Sequence, residues 1–147
     1  MLGALLALAL AADPRVAVVD ASAPDAVYED VSRGLADEVV EALLKAGLMA
    51  HRVEEQELPE GGCRAGPCLE QVARAQKADV LVVLDAREKG RAVAVGVLAL
   101  DGRTGRPLAG QRYVAGPKAA KALKTFSAQV ARALAPRDGS SGLAPGP

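Results

Sequence analysis

The run Val80-Leu-Val-Val-Leu84 constrains this chain more than any other stretch. It is short, mostly β-branched and shows no polar alternation. A strand that is apolar on both faces belongs in the interior of a sheet covered on both sides. The run is too short for a buried helix, and Arg87-Glu-Lys-Gly90 reads as the turn that ends it. Upstream stands Cys63-Arg-Ala-Gly-Pro-Cys68. Pro67 suits a first helical turn, and Leu69, Val72 and Ala73 follow at helical spacing. This helix is expected to lay those three side chains onto the sheet.

The rest of the chain supplies partners for that strand. Arg15–Asp20 is a second apolar strand. A helix beginning near Val27 repeats Val27, Val31, Leu35, Val39 and Leu43 every fourth residue, with Asp30, Arg33, Asp37 and Glu41 opposite. Gly47 is placed as the glycine that ends it. Leu48 to Val53 reads as a strand, and Glu54 to Gly62 as an acidic loop. Arg91 to Leu100 should pair antiparallel with Val80–Leu84 as a hairpin. Val93, Val95 and Val97 then line one face. Ala94, Gly96 and Leu98 line the other, where a helix can come close. After the turn Asp101–Arg106, Pro107 to Ala115 is a more polar strand, expected at an edge. A last helix opens at Gly116-Pro117 and ends at Pro136. Leu123, Phe126, Val130 and Leu134 form its stripe, with Lys118, Lys121, Lys124 and Arg132 outside. The order β-α-β-α-β-β-β-α predicts an α/β (mixed α+β) fold. It has one mixed sheet of about five strands and three helices, with helix-connected strands parallel and the last three forming a meander.

The 147 residues suit one domain. Hydrophobic residues make up 50% of the chain and aromatics only 2%, namely Tyr28, Tyr113 and Phe126. The core must be Val, Leu and Ala, and too few aromatics remain for a base- or sugar-stacking face. Net charge is zero but unevenly spread: residues 12–60 carry 12 acidic and 4 basic groups, while residues 102–137 carry 8 basic groups and no acid. Either the halves complement each other as solvated surfaces, or the basic half meets an acidic partner, an anionic lipid surface or an anionic polymer.

Met1 to Leu10 is an uninterrupted leucine and small-residue run, and Ala9-Leu10-Ala11 is a small-x-small cleavage site. Together they predict a secretory signal peptide over residues 1–11, though no Lys or Arg precedes the run. It is too short to span a bilayer, and no other stretch has transmembrane length. No cysteine follows the cleavage site, so no lipid attachment is expected there. The expected organisation is a domain over 12–136 and a disordered Gly/Ser/Pro tail over 137–147, in a periplasmic or secreted protein.

Several residues invite chemistry. In an exported protein Cys63 and Cys68 read as a disulfide, since a turn with Gly and Pro can bring them together. So small a loop contributes about 2 kcal/mol by chain entropy. A redox-active pair is the alternative, although the spacing is not Cys-x-x-Cys. A zinc site needs four ligands, and only His51 and carboxylates are left to provide them. His51 is the sole histidine, so no catalytic triad can be built on it. Glu54, Glu55, Glu57 and Glu60 lack the Asp/Asn-Gly pattern of a calcium loop. Gly61-Gly62 and Gly102-x-x-Gly105 lack the Lys-Ser/Thr or following helix of a phosphate loop. No metal, cofactor or catalytic residue is expected.

The ordered set of features resembles a known family. The set comprises Arg15–Asp20, the helix ending at Gly47, Cys-x4-Cys, Ala78-Asp79 before an apolar strand, the hairpin, and Leu100-Asp101-x-x-Thr104-Gly105. It is similar to the periplasmic α/β domain shared by the TolB N-terminal domain and by CsgG-like and LpoB-like envelope proteins, over residues 14–135. The resemblance implies a non-catalytic envelope domain that contacts other proteins; no functional residue is carried over from it. The expectation is an exported domain that binds an unknown envelope protein, with no nucleic acid and no transmembrane span, and with room for membrane-surface contact. Arg103, Arg106, Arg112, Lys118, Lys121, Lys124 and Arg132 are the candidate binding residues. The alternatives are a thiol-disulfide oxidoreductase using Cys63 and Cys68, or a basic-face module for anionic lipid or nucleic acid.

Overall fold

The computed structural model describes residues 13–59, 62–64 and 66–135. Five strands form one mixed sheet in the order β2-β1-β3-β4-β5. These are β1 (Arg15–Asp20), β2 (Met49–Arg52), β3 (Val80–Lys89), β4 (Ala92–Asp101) and β5 (Pro107–Val114). Strand β1 pairs parallel with both β2 and β3, whereas β3, β4 and β5 run antiparallel in turn. The helices are α1 (Glu29–Lys45), α2 (Gly66–Ala75) and α3 (Ala119–Leu134). The fold is thus the expected α/β type, with a 3-10 turn at Glu55–Glu57 inside the acidic loop.

The apolar run of β3 sits where its composition requires. Val80, Val82 and Leu84 are fully buried and join the α1 side chains Leu35, Ala36, Val39 and Leu43 and the α3 side chains Leu123, Phe126 and Val130. Leu81 points the other way, into a smaller core with Ala17, Val19, Cys63, Leu69, Val72 and Ala73. So α1 and α3 share one face of the sheet, and α2 takes the other. Helix α1 ends at Gly47 in a Schellman arrangement: Leu48 N–H donates to the Leu43 carbonyl at 3.1 Å and Gly47 N–H to that of Leu44 at 2.9 Å. The φ of 86° at Gly47 is the left-handed conformation that glycine adopts without strain.

Four expectations need correction. Arg87–Gly90 is not all turn: β3 runs on to Lys89, pairing Lys89 with Ala92, and a two-residue turn at Gly90-Arg91 suffices. Helix α1 begins at Glu29 rather than near Val27. Val31 is 39% exposed, not in the stripe. A strict four-residue repeat drifts by about 40° per step around a helix of 3.6 residues per turn, and the buried set is instead Ser32, Leu35, Ala36, Val39 and Leu43. Among the described residues, the face of β4 bearing Ala94, Gly96 and Leu98 has no helix over it: α2 packs on Ala17, Val19 and Leu81, and Leu98 is 41% exposed.

Two motifs of the family resemblance have structural work. Asp79 accepts from the Arg15 backbone N–H at 2.8 Å through Oδ2, locking the starts of β1 and β3 together. In the β4–β5 turn, the Asp101 carboxylate accepts from the backbone N–H groups of Arg103 (2.8 Å) and Thr104 (3.0 Å). These bonds hold its pKa below the usual aspartate value. A Cβ at Gly102 would collide with the Ala78 carbonyl, so the turn tucks against β3 only with glycine there.

Candidate functional site

Cys63 and Cys68 are joined by a disulfide, with Cα atoms 5.6 Å apart. Cys63 is buried among the side chains under α2, and Cys68 is half-buried in the first turn of α2. The bond ties the preceding loop to the start of that helix. His51 Nε2 lies 2.8 Å from the Gln76 amide oxygen. The Gln76 amide nitrogen donates to Glu57 Oε2 at 2.8 Å, so His51 is the donor in this chain. Glu57 Oε1 accepts from the Glu54 backbone N–H at 3.0 Å. Hydrogen bonds from Gln76 and Glu54 N–H, aided by His51, lower the Glu57 pKa. The histidine thus braces β2 against the end of α2. Glu54 and Glu57 are engaged in local bonds, and Glu60 lies outside the described residues. No group of three or more His, Cys, Asp or Glu placed to hold a metal occurs among the described residues.

Sequence reasoning missed a cleft of about 820 Å³. It opens between the loop after β1 (Asp20, Ser22, Pro24) and the segment after β2 (Glu54, Glu55, Leu58). These adjacent parallel strands lead to helices on opposite faces, the switch point where open α/β sheets form a crevice. Several of its polar groups are already partnered. Arg52 binds Asp37 at 2.8 Å and Glu54 at 3.5 Å, and Arg33 binds Glu29 at 2.9 Å. The Ala86 backbone N–H donates to Ser22 Oγ at 2.8 Å, and Ser22 N–H to Asp20 Oδ1 at 2.9 Å. The crevice depends on strand order, which no local motif in the sequence announces.

The seven candidate basic residues are all exposed, and among the described residues none forms an ion pair with a carboxylate. They do not make one patch. At about 100° per residue, Lys118, Lys121, Lys124 and Arg132 fall within roughly 120° of one another around α3 and its cap. Arg103 and Arg106 sit in the β4–β5 turn. Arg112 pairs opposite Gly96, so it shares the face of β4–β5 that no helix covers, across the sheet from α3.

Beside the α3 stripe runs a groove of about 580 Å³ between the second half of α1 and the first half of α3. Its lining includes Glu38 and Glu41 from α1, and Ala120, Leu123, Lys124 and Ser127 from α3. Ser127 is 2% exposed and its Oγ has no hydrogen-bond partner. The Tyr113 hydroxyl is likewise buried and unpartnered, and burial, with the nearby Glu38 carboxylate, pushes its pKa up to about 12.

No protein-family model matches the chain, and no curated protein matches it in sequence. Solved structures do match. The LpoB C-terminal domain from Salmonella enterica superposes with a TM-score of 0.55 at 15% identity, over 72% of this chain and 84% of that one. Lipoprotein GNA1162 from Neisseria meningitidis gives 0.51 at 17% identity, over 70% and 80%. TolB from Acinetobacter baumannii gives 0.51 at 15% identity, over 84% of this chain and 29% of TolB. The chain therefore has an LpoB/TolB-like fold. At such identities the likeness concerns the fold alone.

Proposed function

We propose that the chain is an exported, non-catalytic domain that works in the cell envelope by binding another protein through its basic half. The observation that carries this reading is the set of seven exposed cations that have no carboxylate partner among the described residues. Three of the four cations in the acidic half, Arg33, Lys45 and Arg52, are paired, whereas the seven of the basic half have no such partner among the described residues. The fold shared with a lipoprotein of Neisseria meningitidis and with LpoB supports an envelope setting. A periplasmic or secreted location also rests on residues 1–11 as a signal peptide. That segment and the proposed tail over 137–147 lie outside the described residues; the domain proper is placed at 12–136. No helix among the described residues is long and apolar enough to cross a membrane. The engagement of His51 with Gln76 and the burial of Cys63 favour bracing roles over catalytic ones.

The test is capture from envelope extracts of the native host, with bound proteins identified by mass. The double variant Lys121→Glu/Lys124→Glu should lose the partner that the wild type retains. Unchanged capture would remove α3 from the binding surface.

A further inference from the structure

We infer that the α1–α3 face takes a second copy of this chain, in a two-fold arrangement that sets α1 of each copy against α3 of the other. The inference rests on the reading of α3 as an interaction surface and names a partner for that surface.

The charge pattern across the groove carries the argument. One rim is α1, with Glu38 and Glu41, and with Lys45 held 3.3 Å from Glu41. The other rim is α3, where Lys124 lines the groove and Lys121 stands one turn earlier, about 60° further round the helix toward solvent. The sign of the charge changes across the groove. A two-fold axis running along the groove exchanges its rims. Half a turn about it lays the acidic rim of one copy on the basic rim of the other, and does so twice. An acidic protein or an anionic lipid surface would satisfy α3 but set its charge against Glu38 and Glu41. Only an occupant polarised in the opposite sense satisfies both rims, and a second copy is such an occupant. Its formal net charge of zero also removes overall repulsion between copies.

The floor of the groove agrees. Ala42, Ala120 and Ala128 present short side chains that permit close approach, and Leu123 adds apolar surface. The unpartnered Oγ of Ser127 is the polar exception.

The test is sedimentation of the full chain at low salt over a concentration series. Wild type should dimerise. Lys121→Glu/Lys124→Glu makes both rims acidic, and Glu38→Lys/Glu41→Lys makes both basic. Each variant alone should associate about a hundredfold more weakly, because like charges then face each other on both sides of the dyad. Mixed one to one, the two variants should associate again, since each now complements the other. These substitutions are on exposed positions, and thermal melts establish that both variants remain folded. A wild type that stays monomeric up to about 1 mM overturns the inference, as does a mixture that fails to associate. If the wild type is monomeric while Lys121→Glu/Lys124→Glu loses its envelope partner, the second copy is rejected and α3 remains the partner surface.

Discussion

Helices α1 and α3 lie on the same face of the sheet and close the same core, yet they treat charge in opposite ways. Around α1, cations are neutralised locally: Arg33 by Glu29, Lys45 by Glu41, and Arg52 by Asp37 and Glu54. Around α3, Lys118, Lys121, Lys124 and Arg132 have no such partner among the described residues. The apolar stripes of the two helices are equally committed to the fold. The polar surfaces are not: the cations of α1 are paired within the chain, and those of α3 are left free for an external charge.

The largest effects should show the two helices as equals. Phe126 on α3 and Leu43 on α1 are both fully buried in the shared core. Truncating either to Ala should cost about 2–5 kcal/mol in chemical denaturation. A much smaller loss at Phe126 would mean that α3 is only loosely docked. The next effect should separate the surfaces. Arg52 is mostly covered and bonded to two carboxylates, so Arg52→Ala should lose about 1 kcal/mol. Lys121→Ala should stay within about 0.5 kcal/mol of wild type. Equal losses would dissolve the contrast.

The smallest effect concerns Tyr113, beneath α3. Its folded-state pKa is about 12, above the ordinary value of 10, because burial disfavours the phenolate. The fold therefore favours the protonated form. That contribution is fully present below pH 10 and is lost as pH rises from about 10 through 12. Spectrophotometric titration should find one tyrosine ionising near pH 12. Tyr113→Phe should remove this alkaline loss. Near neutrality it should melt at or slightly above the wild-type temperature, since the hydroxyl it deletes has no partner.

What could be read from the sequence follows from how local each determinant is. The two-sided burial of Val80–Leu84, the helix stop at Gly47 and the stripe Leu123–Phe126–Val130 are set by neighbours within a few residues. The bare face of β4 could not be read. It depends on the reach of α2, which at ten residues is about 15 Å long and stops at β3. Nor could the separation of Arg112 from the α3 lysines, because strand parity is fixed only by the pairing of Arg112 with Gly96. The basic half was visible as composition, but which cations share a face was not. The switch-point cleft likewise waits on the sheet order.

The central claim is that the free charge of α3 faces a protein partner in the envelope. The most direct measurement is photocrosslinking in the native host, with a photoreactive residue in place of Lys121 and, separately, of Glu70 on α2. The account predicts a discrete protein adduct from position 121, in the envelope fraction, and none from position 70. Adducts from position 70 with none from position 121 would contradict it.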